Sequence, residues 1–177
     1  MKNIKKIYII GALIGVFFGS FLHFIFEIIG SWKPIALIGA VNESTWEHLK
    51  IGFWPLFLFA IWEYFYYVKD YKNFFLAKAL TLLTVPIVII LLFYGYLLFT
   101  PDNFIFDILI FVLAIIIAEY IGYKIIISKY NYSNYNIFSY IVIILLFLAF
   151  SLLTFYPPQN ILFHDPVSGG YGIINKK

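Results

Sequence analysis

Several apolar runs in this chain exceed the roughly 18 residues that mark a bilayer-crossing helix, and that feature closes off most folds. With no water in hydrocarbon, every backbone N–H and C=O must find its partner inside the protein, which a helix provides residue by residue. Composition points the same way: 63% of the 177 residues are hydrophobic and only 12% are charged, well outside soluble-domain usage. The hydrophilic stretches are all short, so no soluble domain is left over. The expected class is all-α, an integral membrane bundle of five transmembrane helices with membrane lipid as its surroundings. The absence of cysteine excludes disulfides, thiolate catalysis and cysteine-based metal sites. A net charge of +3, small and dispersed, suits lysines beside a membrane better than nucleic-acid binding. All the basic residues are lysines, and Ile, Asn and Tyr are abundant, as in an AT-rich genome. The expected location is therefore a bacterial cytoplasmic membrane.

The N-terminal stretch imitates a signal peptide, but its apolar core is too long and no small-x-small cleavage site follows. It is expected to stay as the first helix, over Ile7–Ile29. The second should run from near Glu43 to about Val68, the third over Phe74–Phe99, the fourth over Phe104–Ser128 and the fifth over Ile137–Tyr156. Breakers separate them: Gly30, Ser31 and Pro34; Asp70 to Asn73; Pro101-Asp102-Asn103; Asn131 to Asn136; Pro157-Pro158. Residues 1–156 then form the transmembrane domain and 157–177 a tail. Lysine bias sets orientation. Lys2, Lys5, Lys6, Lys69, Lys72, Lys78, Lys124 and Lys129 fall on one side, against Lys33, Lys50, Lys176 and Lys177 on the other. The N-terminus is expected in the cytoplasm and the tail outside.

That topology brings all three histidines, His23, His48 and His164, to the outer side. Glu27, Glu43, Glu47, Asp102, Asp107 and Asp165 join them. On the first helix, Gly11, Gly15, Gly19, His23 and Glu27 recur at i+4 spacing and drift about 40° per step, forming one gently turning ridge. Its glycines suit close helix packing and could dock a partner helix. Its ionisable members are then carried inward, where an unpaired charge at the membrane centre costs about 2.5–3.5 kcal/mol.

The stretch "VNESTWEHLK" at residues 41–50 concentrates polar chemistry in an otherwise greasy chain. Ser44 and Glu47 match a capping box, with Asn42 as an alternative cap and Glu43 suited to the helix dipole. Capping leaves His48 unexplained. Ser44 and His48 are four apart, so the hydroxyl can orient the imidazole. The tail, "PPQNILFHDPVSGGYGI", should fold back over the outer mouth, although His164-Asp165-Pro166 also fits a surface turn. Asp102, Asn103 and Asp107 read most simply as the turn and first turn of the fourth helix. Glu63 and Glu119 lie nearer the cytoplasmic half, and Glu119 must be protonated or paired.

"HFIFE", "VNESTWEHLK" and "LFHDP…GGYG" together resemble an uncharacterised family of small bacterial multi-pass membrane proteins, a domain of unknown function. That resemblance covers nearly the whole chain and brings no activity. A second, much looser likeness is local: Ser44-xxx-His48 is similar to the Ser-xxx-His motif of the CREST membrane hydrolases, the alkaline ceramidases and their receptor relatives. The likeness implies a zinc site with His48 as ligand and Ser44 as its supporting hydroxyl. That superfamily has seven helices and a late His-xxx-His pair, where this chain has only His164.

The leading expectation is a metal-dependent membrane hydrolase acting at the outer leaflet on an amphiphilic substrate, such as a lipid ester or amide. His23, His48 and His164 would ligate zinc or another divalent ion, with Glu27 or Asp165 completing the shell and Glu43 or Glu47 acting as base. The alternatives are a small-solute binding or transport subunit, whose pocket would use Glu43, Glu47 and His48, and a structural or immunity membrane protein.

Overall fold

A computed structural model of the protein describes residues 3–67 and 70–173. Lys2, Lys69, Lys176 and Lys177 of the lysine bias, and Val68 at the expected end of the second helix, lie outside those residues. The described chain is all-α, with α1 at Ile4–Ile28, α2 at Thr45–Tyr67, α3 at Phe74–Leu97, α4 at Phe104–Ile126 and α5 at Asn136–Leu152. Short 3₁₀ turns occupy Lys33–Leu37 and Ser133–Tyr135. Among the described residues, four segments are long and apolar enough to cross a membrane: α1, α3, α4 and Ser133–Leu152. Their outward side chains, among them Phe17, Leu91, Leu109, Ile137 and Leu145, are large, apolar and exposed. Such a surface is stable against lipid and not against water.

Most helix ends fall within three residues of the sequence expectation, and two of the differences move polar residues. Helix α2 begins at Thr45, not near Glu43, so Glu43 sits in the turn before the helix. Helix α5 stops at Leu152, before Tyr156, because Pro157 biases the preceding backbone away from the helix and the chain turns to bring Thr154 inside.

The remaining helix, α2, is the centre of the bundle. It is buried nearly all round over its first half, including Glu47, Lys50, Phe53, Trp54 and Leu56. Helix α1 packs on α2 and α4, while α3 packs on α2, α4 and α5. These neighbours shield α2 from lipid, which is why it can carry Glu47, Lys50 and Glu63. Phe53, Leu56, Leu82, Val85 and Phe150 form the middle of the core.

The glycine ridge of α1 docks within the chain. A Cβ at Gly15 would meet Leu56 and Ile115, and one at Gly19 would meet Phe111 and the carbonyl of Ile51. That carbonyl is the one Pro55, lacking an N–H, leaves without its usual helical donor. Gly19 of α1 therefore lies against α2 where Pro55 interrupts its hydrogen bonding.

At the opposite end, Asn73 clamps the α4–α5 connection. Its Nδ2 donates to the carbonyls of Tyr130 at 2.8 Å and Ile125 at 3.2 Å, and its Oδ1 accepts from Tyr132 N–H at 2.8 Å. Asn73→Ala removes these partners from a side chain that is 4% exposed. The expected loss is about 1–3 kcal/mol, with faster proteolysis within residues 127–135 as the readout. Unchanged cleavage and thermal stability would show that the clamp is dispensable.

Candidate functional site

Three segments meet where α1 ends and α2 begins. His23 lies in the penultimate turn of α1, Glu43 in the turn leading into α2, and His48 in the first turn of α2. The Nε2 atoms of His23 and His48 each lie 3.7 Å from the same oxygen, Glu43 Oε2. The two imidazoles meet edge to face with centroids 5.1 Å apart. One ligand atom from each of the three residues falls within 4.8 Å of the others.

Local chemistry sets this geometry. The Nδ1–H of His48 donates to the Ser44 carbonyl at 3.0 Å, one helical turn back. A carbonyl can only accept, so this bond puts a proton on Nδ1 and turns Nε2 toward Glu43. The expected orientation by the Ser44 hydroxyl is thus supplied by its backbone oxygen. His23 stacks on Phe24 with centroids 4.7 Å apart. Glu43 is held from behind, its N–H donating to Asp165 Oδ1 at 3.3 Å. The side chains of His23, His48 and Glu43 are 21%, 31% and 47% exposed, so solutes can reach the cluster.

The other residues named from sequence are used differently. Glu27 is exposed on α1. Four steps of about 40° from Gly11 turn the ridge by about 160°, which carries its last member away from the interface that buries its glycines. His164 is exposed and pairs by backbone with Tyr171, whose ring it also meets at 5.6 Å. Asp165 is buried and organises the tail, accepting from the N–H groups of Val167 and Ser168 and from the Ser168 hydroxyl. Among the described residues, Glu27, His164 and Asp165 do not belong to the group of converging ligand atoms.

Glu47 enters a closed network. Its Oε2 pairs with Lys50 Nζ at 2.5 Å, and its Oε1 accepts from the Thr154 hydroxyl at 2.8 Å. Lys50 also donates to Thr154 Oγ1 at 2.9 Å and the Ala36 carbonyl at 2.7 Å, which uses all three ammonium protons. Val41 N–H donates to Glu47 Oε2 at 3.1 Å. The capping glutamate thus reaches back beyond Ser44 to Val41, and with Lys50 it joins α2 to the 3₁₀ turn and to the residues just after α5.

The tail is stitched to the turn before α2. Asn42 Nδ2 donates to the Gly172 carbonyl at 2.8 Å, Trp46 N–H to the Leu162 carbonyl at 2.9 Å, and Trp46 stacks on Phe163 at 4.6 Å. Asp107, which topology alone grouped with the histidines, interacts electrostatically with His48. The Tyr96 hydroxyl lies 2.7 Å from a carboxylate oxygen of Asp102 and of Asp107, while Asn103 caps α4 and Asp107 lies in its first turn. No local pattern could link Asp107 to His48, because the connection exists only through helix packing.

The family model described as a family of unknown function, DUF6512, matches residues 1–173, and the chain belongs to that family. This agrees with the resemblance carried by its polar motifs. No curated protein and no solved structure matches the chain.

Proposed function

We propose that this member of an unassigned family is a metal-dependent membrane hydrolase, with His23, His48 and Glu43 as the ligands of a zinc-like ion. The observation that carries the reading is the pair of 3.7 Å separations around one carboxylate oxygen. They are too long for hydrogen bonds, which run about 2.7–3.2 Å. They lie close to the edge of a tetrahedron built on 2.0–2.2 Å zinc bonds, about 3.3–3.6 Å. The bond from His48 Nδ1 to a backbone carbonyl is the usual outer-shell support for a ligating imidazole. Two histidines and one glutamate make a three-ligand set that leaves a coordination position open for water or substrate. Zinc supplies Lewis acidity and brings bound water to a pKa near 7.

In this reading Glu43 is a ligand and not the base, and Glu47 is structural. Among the acids near His48, Asp107 is the candidate for proton transfer. A mouth next to exposed apolar helices suits an amphiphilic substrate, a lipid ester or amide. We place all five helices across the membrane with the N-terminus in the cytoplasm. Helix α2 qualifies despite its charges because they are neutralised internally. Lys50 and Lys78 are buried in ion pairs and should not be counted, which leaves the lysine bias at seven against three.

The test is metal analysis of the purified protein, with lipid esters and amides as substrates. We expect about one zinc-like ion per chain. His48→Ala or His23→Ala should weaken binding by more than the roughly 10–100-fold typical of an outer-shell partner, and activity should fall with it. Acidification should also weaken binding, because an imidazole must shed its proton to ligate. A wild-type protein that neither retains nor takes up zinc rules the reading out. Full ion binding with no hydrolysis would favour solute capture instead.

A further inference from the structure

A second polar centre lies deeper in the bundle, on residues that the metal site does not use. Glu63 of α2 and Lys78 of α3 form an ion pair at 2.5 Å, with both side chains almost fully buried. Lys78 Nζ stands 4.1 Å from the centroid of the Tyr8 ring on α1. Glu119 of α4 completes the group. A Cβ at Gly11 would fall 2.8 Å from Glu119 Oε1, so α1 carries a glycine where this carboxyl lies. Similarly, a Cβ at Gly122 would fall 2.8 Å from the Tyr8 ring. Glu119 is 4% exposed and Tyr8 3%. Both Glu119 Oε2 and Tyr8 Oη are buried without a hydrogen-bond partner. The charges that bear on Glu119 are those of Lys78 and Glu63.

The charges do not balance. Two carboxyl groups face one ammonium, and Glu63 already holds that ammonium. An ionised Glu119 would leave an uncompensated charge inside a bundle surrounded by hydrocarbon, at a cost that makes a carboxyl neutralise instead. A metal cation could supply the balance only with several oxygen ligands, typically six or more for hard ions such as calcium. Among the described residues, Glu63 Oε2 here is held by the Lys78 ammonium and the Thr81 hydroxyl donates to the Ala118 carbonyl, which leaves Glu119 Oε2 and Tyr8 Oη as the oxygens without a partner. That is too few for a metal ion and sufficient for a proton.

We propose that Glu119 is a proton-binding site within the bundle. It takes a proton from water onto Oε2, becomes a neutral carboxylic acid, and is flanked by the fixed Glu63–Lys78 pair and Tyr8. The inference does not depend on the metal site.

Infrared spectroscopy of the full chain in lipid nanodiscs tests it. At neutral pH the wild type should show the carbonyl stretch of a protonated carboxylic acid, shifted by deuterium exchange. The band should be lost in Glu119→Gln, move in frequency in Glu119→Asp, and stay unchanged when sodium is added at fixed pH. Absence of the band from the wild type overturns the proposal, as does its survival in Glu119→Gln or its removal by sodium. If the glutamine variant fails to fold, the aspartate variant decides, and an unmoved band refutes the assignment.

Discussion

Glu47→Ala is expected to destabilise the protein by about 3–5 kcal/mol, the cost of removing one partner from a buried ion pair. Lys50 would keep its charge at 0% exposure with only Thr154 and the Ala36 carbonyl left to it. The Thr154 hydroxyl and Val41 N–H would lose their acceptor too. Thermal or denaturant unfolding in detergent measures the effect. Glu47→Met with Lys50→Leu should cost less than the two single changes summed, because no unpaired charge remains. The coupling should be on the order of 0.5–3 kcal/mol. The same experiment separates two roles for Glu47. If Glu47→Gln leaves the unfolding midpoint unchanged and abolishes turnover, the residue is the base that the polar stretch at 41–50 suggested. If stability falls while the folded fraction still binds metal, Glu47 is a structural anchor.

The second large effect is expected at Gly19. An added Cβ would lie 2.6 Å from Phe111 Cζ and 3.0 Å from the Ile51 carbonyl oxygen. The ring can shift, but the carbonyl is backbone of α2 and cannot move without the helix. Gly19→Ala should cost about 1–3 kcal/mol, as overpacking of a tight interface does. His23 is one turn further along the same ridge, and His48 is on the helix that would be pushed away. Metal affinity should therefore fall with stability, because the two imidazoles would no longer be held at ligating distance of one ion. Gly95→Ala is the control, because nothing lies within 4 Å of the position where its Cβ would stand. There, alanine in place of a helical glycine should be neutral or stabilising by about 0.5–1 kcal/mol. Equal effects at both positions would refute the packing argument.

The polar residues show how far local pattern carries. The Ser44–His48 relation was visible as i,i+4 spacing, although the atom that orients the imidazole is a carbonyl and not the hydroxyl. Lys50 and Glu47 sit three apart, so their pairing had a local signal too; a lysine in an apolar helix requires a partner. Glu63 with Lys78, and Asp107 near His48, had no such signal, being joined only where helices meet. Glu27 shows the converse. Its place on the ridge was correctly read, but a 40° drift repeated four times turns a residue away from the interface.

By itself, the order of residues determined the membrane-type helical architecture, the breakers between helices and the enrichment of histidines and acids near one end. These follow from hydrophobic run length, proline and glycine, which act within a few residues of themselves. Only the tertiary structure decided which acids meet which bases: Glu43 with the two imidazoles, Glu47 with Lys50, Glu63 with Lys78, and Glu119 against Gly11. Charge pairing depends on distances of a few ångströms across helix interfaces, and those distances are set by packing that no local pattern encodes.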